Sequence, residues 1–84
     1  MADVIIYTTP ICPYCVRAKN LLKQKGVEWT EIDVSRDAGE RMALMERTRQ
    51  RTVPQIFING RHVGGSDDLY ALERAGELDA LLAG

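Results

Sequence analysis

Val4-Ile5-Ile6-Tyr7-Thr8-Thr9-Pro10-Ile11-Cys12-Pro13-Tyr14-Cys15 is the stretch on which the reading of the fold turns. Its first four residues form a β-branched and aromatic run, the pattern of a strand buried on both faces. Thr8 to Ile11 read as a turn. Pro13 suits the first position of a helix, where a backbone N–H would lack an intrahelical partner anyway. The helix predicted over 13–25 puts Cys15, Ala18 and Leu22 on one face, with Leu21 beside them, and Gly26 ends it. Strand, cysteine pair and helix therefore follow one another directly.

Working outward, residues 27–34 predict a second strand in which Trp29, Glu31 and Asp33 alternate with Thr30, Ile32 and Val34. Ser35 and Asp37 are candidate caps for a helix over 38–48, whose Met42 and Met45 are expected in the core. Gln55-Ile56-Phe57-Ile58 then meets Asn59-Gly60, the strongest short hairpin signal, so Arg61-His62-Val63 should return antiparallel. Gly64-Gly65-Ser66 opens a further helix from Asp67 to about residue 75, with Leu69 and Leu72 inward. Beyond Gly76, Leu78, Leu81 and Leu82 predict a last short helical turn. The order is βαβα–ββα: an α/β fold in which the first two strands are parallel with a right-handed crossover and the hairpin completes a four-stranded mixed sheet flanked by helices.

At 84 residues, one domain over 1–84 is expected. Apolar residues make up 45% and charged residues 27%, with a net charge of −1 from interspersed charges. That balance excludes general nucleic-acid binding and a polybasic membrane anchor. No run approaches the ~20 apolar residues that span a bilayer. Met1 to Tyr7 lacks the basic start and longer apolar run of a secretory signal. A soluble cytoplasmic protein is expected, and there a cysteine pair is more often catalytic or metal-binding than a permanent staple.

Cys12 falls at or just before the helix N-terminus, where unpaired N–H groups and the helix dipole stabilise a thiolate. Thiol pKa values in such places fall from ~8.5 to between ~3.5 and ~7.5. Cys15 lies one turn on, leaning back within disulfide reach and more buried. The asymmetry assigns Cys12 the attack on a substrate disulfide and Cys15 the resolution of the mixed disulfide. Two other readings compete. Closed structural zinc needs four ligands, whereas the chain offers two cysteines and one histidine, so no metal is expected. A staple across so small a loop stabilises little. Cys-x-x-Cys at a strand-to-helix junction in a βαβ pattern reads as thioredoxin-like redox chemistry.

With Cys12-Pro13-Tyr14-Cys15, Thr52-Val53-Pro54-Gln55-Ile56-Phe57-Ile58 and Gly64-Gly65-Ser66-Asp67-Asp68-Leu69 in this order, the chain resembles the bacterial dithiol glutaredoxins from about Val4 to Leu82. The resemblance implies a thioredoxin fold and glutathione as the reductant. It also implies a cis bond before Pro54, with Val53 presenting its backbone to the cysteinyl part of glutathione like an added strand. Taken from the residues alone, Thr52-Val53-Pro54 could equally be the start of a strand. Gly65, Ser66 and Asp67 open a helix whose free N–H groups suit a carboxylate and whose Asp67 suits an ammonium, the two groups of a γ-glutamyl end. Ser66 or Asp67 could also simply cap that helix, and the two roles can coexist. Tyr14 would flank the thiols and pack along glutathione. Arg51 is a candidate partner for the glycine carboxylate.

One position departs from the family pattern. Many members carry Lys three residues before the nucleophile, where this chain has Thr9. That raises the expected Cys12 pKa and makes the carboxylate pocket less attractive, unless Arg51, Arg17 or Arg49 compensates. His62 is expected to be an exposed or half-packed strand residue, and Trp29 a sheet-face aromatic.

The reading implied is a monomeric enzyme that reduces protein disulfides and glutathionylated proteins, with ribonucleotide reductase one candidate target and no nucleic-acid or membrane partner. Two alternatives accompany it. One is a redoxin reduced by thioredoxin reductase, which Thr9 favours and Tyr14 and residues 64–68 oppose. The other is a dimer holding a glutathione-ligated [2Fe–2S] cluster, which Pro13 and Cys15 oppose.

Overall fold

The computed structural model describes residues 2–83. The elements are β1 (Val4–Thr8), α1 (Pro13–Gln24), β2 (Thr30–Asp33), α2 (Ala38–Thr48), β3 (Gln55–Ile58), β4 (Arg61–Gly64), α3 (Ser66–Arg74) and α4 (Leu78–Ala83). The sheet order is β2-β1-β3-β4. β1 pairs parallel with β2 and antiparallel with β3, and β3 pairs antiparallel with β4. This is the expected thioredoxin fold, closed by the short α4.

Burial explains why the central strands are continuously apolar. Val4 and Ile6 of β1 and Ile56 and Ile58 of β3 face one side, where Ala18, Leu21 and Leu22 of α1, Leu69 of α3 and Leu78 and Leu82 of α4 cover them. Tyr7 and Phe57 face the other side and meet Leu44 of α2 and Val34. Each fully buried Leu or Ile here contributes about 1.5–3 kcal/mol. The edge strand β2 has one inward residue, Ile32, packed on the α2 side. Asn59 and Gly60 take φ of 53° and 81°, the positive pair that a tight hairpin turn with the sheet's twist requires.

Several expectations are corrected. β1 continues through Thr8, whose carbonyl accepts the Val34 N–H at 3.0 Å. β2 is shorter than 27–34: its ladder to β1 begins at Ile5↔Thr30, and Val27 and Trp29 pack against the core ahead of it. Met42 is 59% exposed, and α2 turns Leu44 and Thr48 inward instead. The three-residue spacing of two methionines is therefore not the buried stripe, and Met45 is only half-buried. Asp37 caps α2 by accepting the Glu40 N–H at 3.0 Å, whereas Ser35 donates its own N–H to Asp33. α3 starts at Ser66 with Gly65 as its N-cap, so neither Ser66 nor Asp67 caps it. His62 is half-buried on β4, as expected.

Candidate redox site

The cysteine pair sits where β1 hands over to α1. Cys12 is the N-cap, with extended backbone (φ −149°, ψ 98°), and its Sγ accepts the Cys15 N–H at 3.1 Å. A sulfur in that position receives one of the orphan N–H groups of the helix and faces the positive end of the dipole. The first turn of α1 contains no acidic residue to offset that field. The Cys12 and Cys15 sulfurs face each other near disulfide distance, with Cα atoms 5.1 Å apart. Cys15 is 1% exposed and belongs to the buried face of α1, while Cys12 is only half-buried. One sulfur of the pair is thus open to attack and the other is screened.

Across from Cys12 runs the segment before β3. The Val53–Pro54 bond is cis. Val53 O lies 3.7 Å from Cys12 Sγ, within reach of a reduced thiol's proton. The register Tyr7↔Gln55 brings the start of β3 beside the end of β1, and so brings residues 53–54 to the point from which the cysteine loop departs.

A cleft of about 250 Å³ opens there, lined by Tyr14, Gln50, Thr52, Val53, Pro54, Gly65, Ser66, Asp67 and Asp68. Of the residues singled out from sequence, Tyr14, Thr52, Val53, Pro54, Gly65, Ser66 and Asp67 meet around it. Arg51 does not line it, and Gln50 stands there in its place. Asp68 was also not anticipated. Its carboxylate accepts the Gly65 N–H at 3.0 Å, and the signal for it was an acidic residue three positions after the N-cap.

The floor at this end is the N-terminus of α3. Ser66 is 3% exposed, and its Oγ has no hydrogen-bond partner among the described residues. Asp67 projects into solvent and lies 3.4 Å from Arg17 Nη1. Arg17 is held over the Tyr70 ring, with its guanidinium carbon 4.5 Å from the centroid. That contact ties Arg17 to the α3 end of the cleft. Away from the cleft, burial pushes the Glu31 carboxyl up, but the Thr8 hydroxyl and Lys19 outweigh it and hold it below the ordinary range. Among the described residues, no three His, Cys, Asp or Glu side chains gather as a metal-binding group.

Comparison with known proteins agrees with this architecture. The glutaredoxin family model matches residues 4–63. A glutaredoxin from Pseudomonas aeruginosa is 55% identical over 83 residues, covering 99% of each chain. Glutaredoxin 3 from Escherichia coli is 52% identical over 82 residues, covering 98% of this chain and 99% of its own. Among solved structures, a buckwheat glutaredoxin–glutathione complex superposes with a TM-score of 0.90 at 34% identity, over 98% of this chain and 77% of that one. With the family model matching residues 4–63 and more than half of all residues shared with such relatives over nearly the whole chain, this chain belongs to the glutaredoxin family.

Proposed function

We propose that the chain reduces protein disulfides and protein–glutathione mixed disulfides, with glutathione as its electron donor and Cys12 as the attacking group. The observation that carries this reading is the Cys12 sulfur itself, half-buried at the N-cap of α1, accepting the Cys15 N–H at 3.1 Å and lying 3.7 Å from the carbonyl of Val53, a residue of the cleft lining. A thiolate there is stabilised by the helix terminus even though Thr9 supplies no charge.

In the dithiol route the Cys12 thiolate attacks a sulfur of the target disulfide. A Cys12–target bond forms, and the displaced target thiolate takes a proton. Cys15 then attacks the Cys12 sulfur, releasing the second target thiol and leaving Cys12 and Cys15 oxidised. The target has gained two electrons. One glutathione opens the disulfide by bonding to Cys12, and a second removes the first as glutathione disulfide. With a glutathionylated target, Cys12 takes the glutathionyl group directly and Cys15 is dispensable.

The cleft supports glutathione as the peptide recognised. It is smaller than the ~300–1,000 Å³ pockets that engulf drug-sized ligands, so a tripeptide would lie along it partly exposed. The cysteinyl part would run beside the Val53 backbone, flanked by Tyr14 and Thr52 against Pro54. The γ-glutamyl carboxylate suits the α3 N-terminus at Gly65 and Ser66, where the unpartnered Ser66 hydroxyl is a ready donor, and its ammonium suits Asp67. Arg51, exposed and outside the lining, could meet the glycine carboxylate only at the outer edge. The chemistry belongs in a compartment that keeps glutathione reduced, such as the cytoplasm.

The test is reduction of a glutathionylated peptide with NADPH, glutathione and glutathione reductase, beside a run with NADPH and thioredoxin reductase alone. Turnover in the glutathione run is expected. Turnover in the thioredoxin reductase run alone would overturn the donor assignment and leave the Cys12 chemistry standing.

A further inference from the structure

Gln55 is fully buried, a carboxamide at the head of the apolar strand β3, and nothing in the scheme above uses it. Its Nε2 lies 2.9 Å from the Thr52 carbonyl, 2.9 Å from Gln50 Oε1 and 3.3 Å from Thr52 Oγ1. A backbone carbonyl can only accept, so the amide nitrogen faces the 50–52 segment and Oε1 faces away from it. His62 Nε2 lies 2.7 Å from that Oε1. An amide oxygen also only accepts, so His62 carries its proton on Nε2 and donates it. The His62 ring is held in turn against Phe57, with centroids 5.0 Å apart.

These contacts run from β4 through Gln55 into the segment that lines the cleft. At the segment's other end, the Gln50 N–H donates to Thr48 Oγ1 at 3.2 Å, and that hydroxyl donates to the Leu44 carbonyl at 2.9 Å. Residues 50–52 are therefore fastened to α2 on one side and to the sheet on the other. Gln55 is the buried end of these contacts, so loss of its amide removes the segment's tie to the sheet and leaves the exposed Gln50 and Thr52 groups to water.

We infer that Gln55 and His62 are positioning residues: without touching substrate, they hold the Thr52–Val53 backbone in the place where it meets the peptide of a glutathionylated target. This rests on the glutathione reading above. His62→Phe keeps a ring against Phe57 and removes the donor, whereas His62→Gln restores one. Gln55→Leu removes the anchor outright, and the two His62 variants carry the test if that variant does not fold.

Three experiments are run on the full chain, giving the ¹⁵N order parameters of the Thr52 and Val53 amides in the ligand-free reduced protein, KM and kcat for a glutathionylated peptide, and the rate of Cys12 alkylation by iodoacetamide. In His62→Phe the order parameters should fall from the rigid value of ~0.85 toward ~0.6. KM should rise about three- to tenfold with kcat and alkylation unchanged, because displacement of a binding backbone weakens docking and not the thiolate. His62→Gln should reverse both effects. Unchanged order parameters and KM in folded His62→Phe would overturn the inference, as would a rise in KM that His62→Gln does not reverse. Failure of the parent protein to turn over the glutathionylated peptide would instead refute the glutathione reading, and the order parameters would still decide the anchoring.

Discussion

Replacing Asp67 by alanine tests how the open end of the cleft contributes to binding. The Asp67 side chain is 85% exposed, and Arg17, itself 49% exposed, lies 3.4 Å away. Water screens a pair in such a place, so contact with a substrate ammonium is worth about 0.2–1 kcal/mol. That converts to a rise in KM of about 1.5- to 5-fold, with kcat unchanged. The assay compares two mixed disulfides of one peptide, one with glutathione and one with cysteinylglycine, which lacks the γ-glutamyl residue. Asp67→Ala should raise KM for the first and leave the second alone. Asp67 also sits in the first turn of α3, where a carboxylate stabilises a helix by about 0.3–1 kcal/mol, so a drop in Tm of a few degrees is expected. That drop affects both substrates equally and cannot produce the difference between them. Equal changes in KM for the two substrates would refute the reasoning. A hundredfold loss would refute it too, since no screened pair supplies that much.

Three further outcomes are expected. Cys12→Ser should abolish all exchange, while Cys15→Ser should keep deglutathionylation and lose reduction of protein disulfides; activity retained in Cys12→Ser would sink the nucleophile assignment. Gly64 has φ of +120°, and a methyl group there would collide with the Asp68 carboxylate that holds the Gly65 N–H. Gly64→Ala should therefore cost about 1–3 kcal/mol in urea unfolding, and an unchanged midpoint would contradict the account of how α3 starts. Lys25 bonds Glu73 and Asp79 at 2.6 and 2.9 Å, and these bonds raise its pKa above the ordinary 10.5. A raised lysine stabilises the fold fully below pH 10.5 and loses that contribution as pH climbs through the folded value. The stability margin over Lys25→Met should hold from neutral pH to about that point and shrink beyond it, and a margin constant into strong alkali would refute the assignment.

Much of the fold was legible because its signals are local. The run Val4 to Tyr7, the Pro13 start, the Asn59-Gly60 turn and the leucines of α1 each report a conformation set by neighbouring residues. The misreadings arose where a partner element decides. Met42 and Leu44 both suit a helix, and it is the way α2 lies on Tyr7 and Phe57 that buries Leu44 and leaves Met42 in water. No local signal announced Gln50, which lines the cleft while its neighbour Arg51 lies outside that lining. Gln55 read as one more residue of a strand. Its role emerged only when the β3–β4 pairing brought His62 to its amide oxygen.

The sequence by itself determined the reactive pair. Two cysteines three residues apart at a helix start lie within one turn, so the N-cap sulfur, its N–H donor and the screened partner all follow from local geometry. Only the tertiary structure decided what stands opposite that sulfur. Val53, Ser66 and Asp67 lie 41 to 55 residues further along the chain, too far for any local rule to orient them. They converge because Tyr7 pairs with Gln55 across the sheet and because α3, packed against α1 through the buried Leu69, turns its N-terminus toward the same edge.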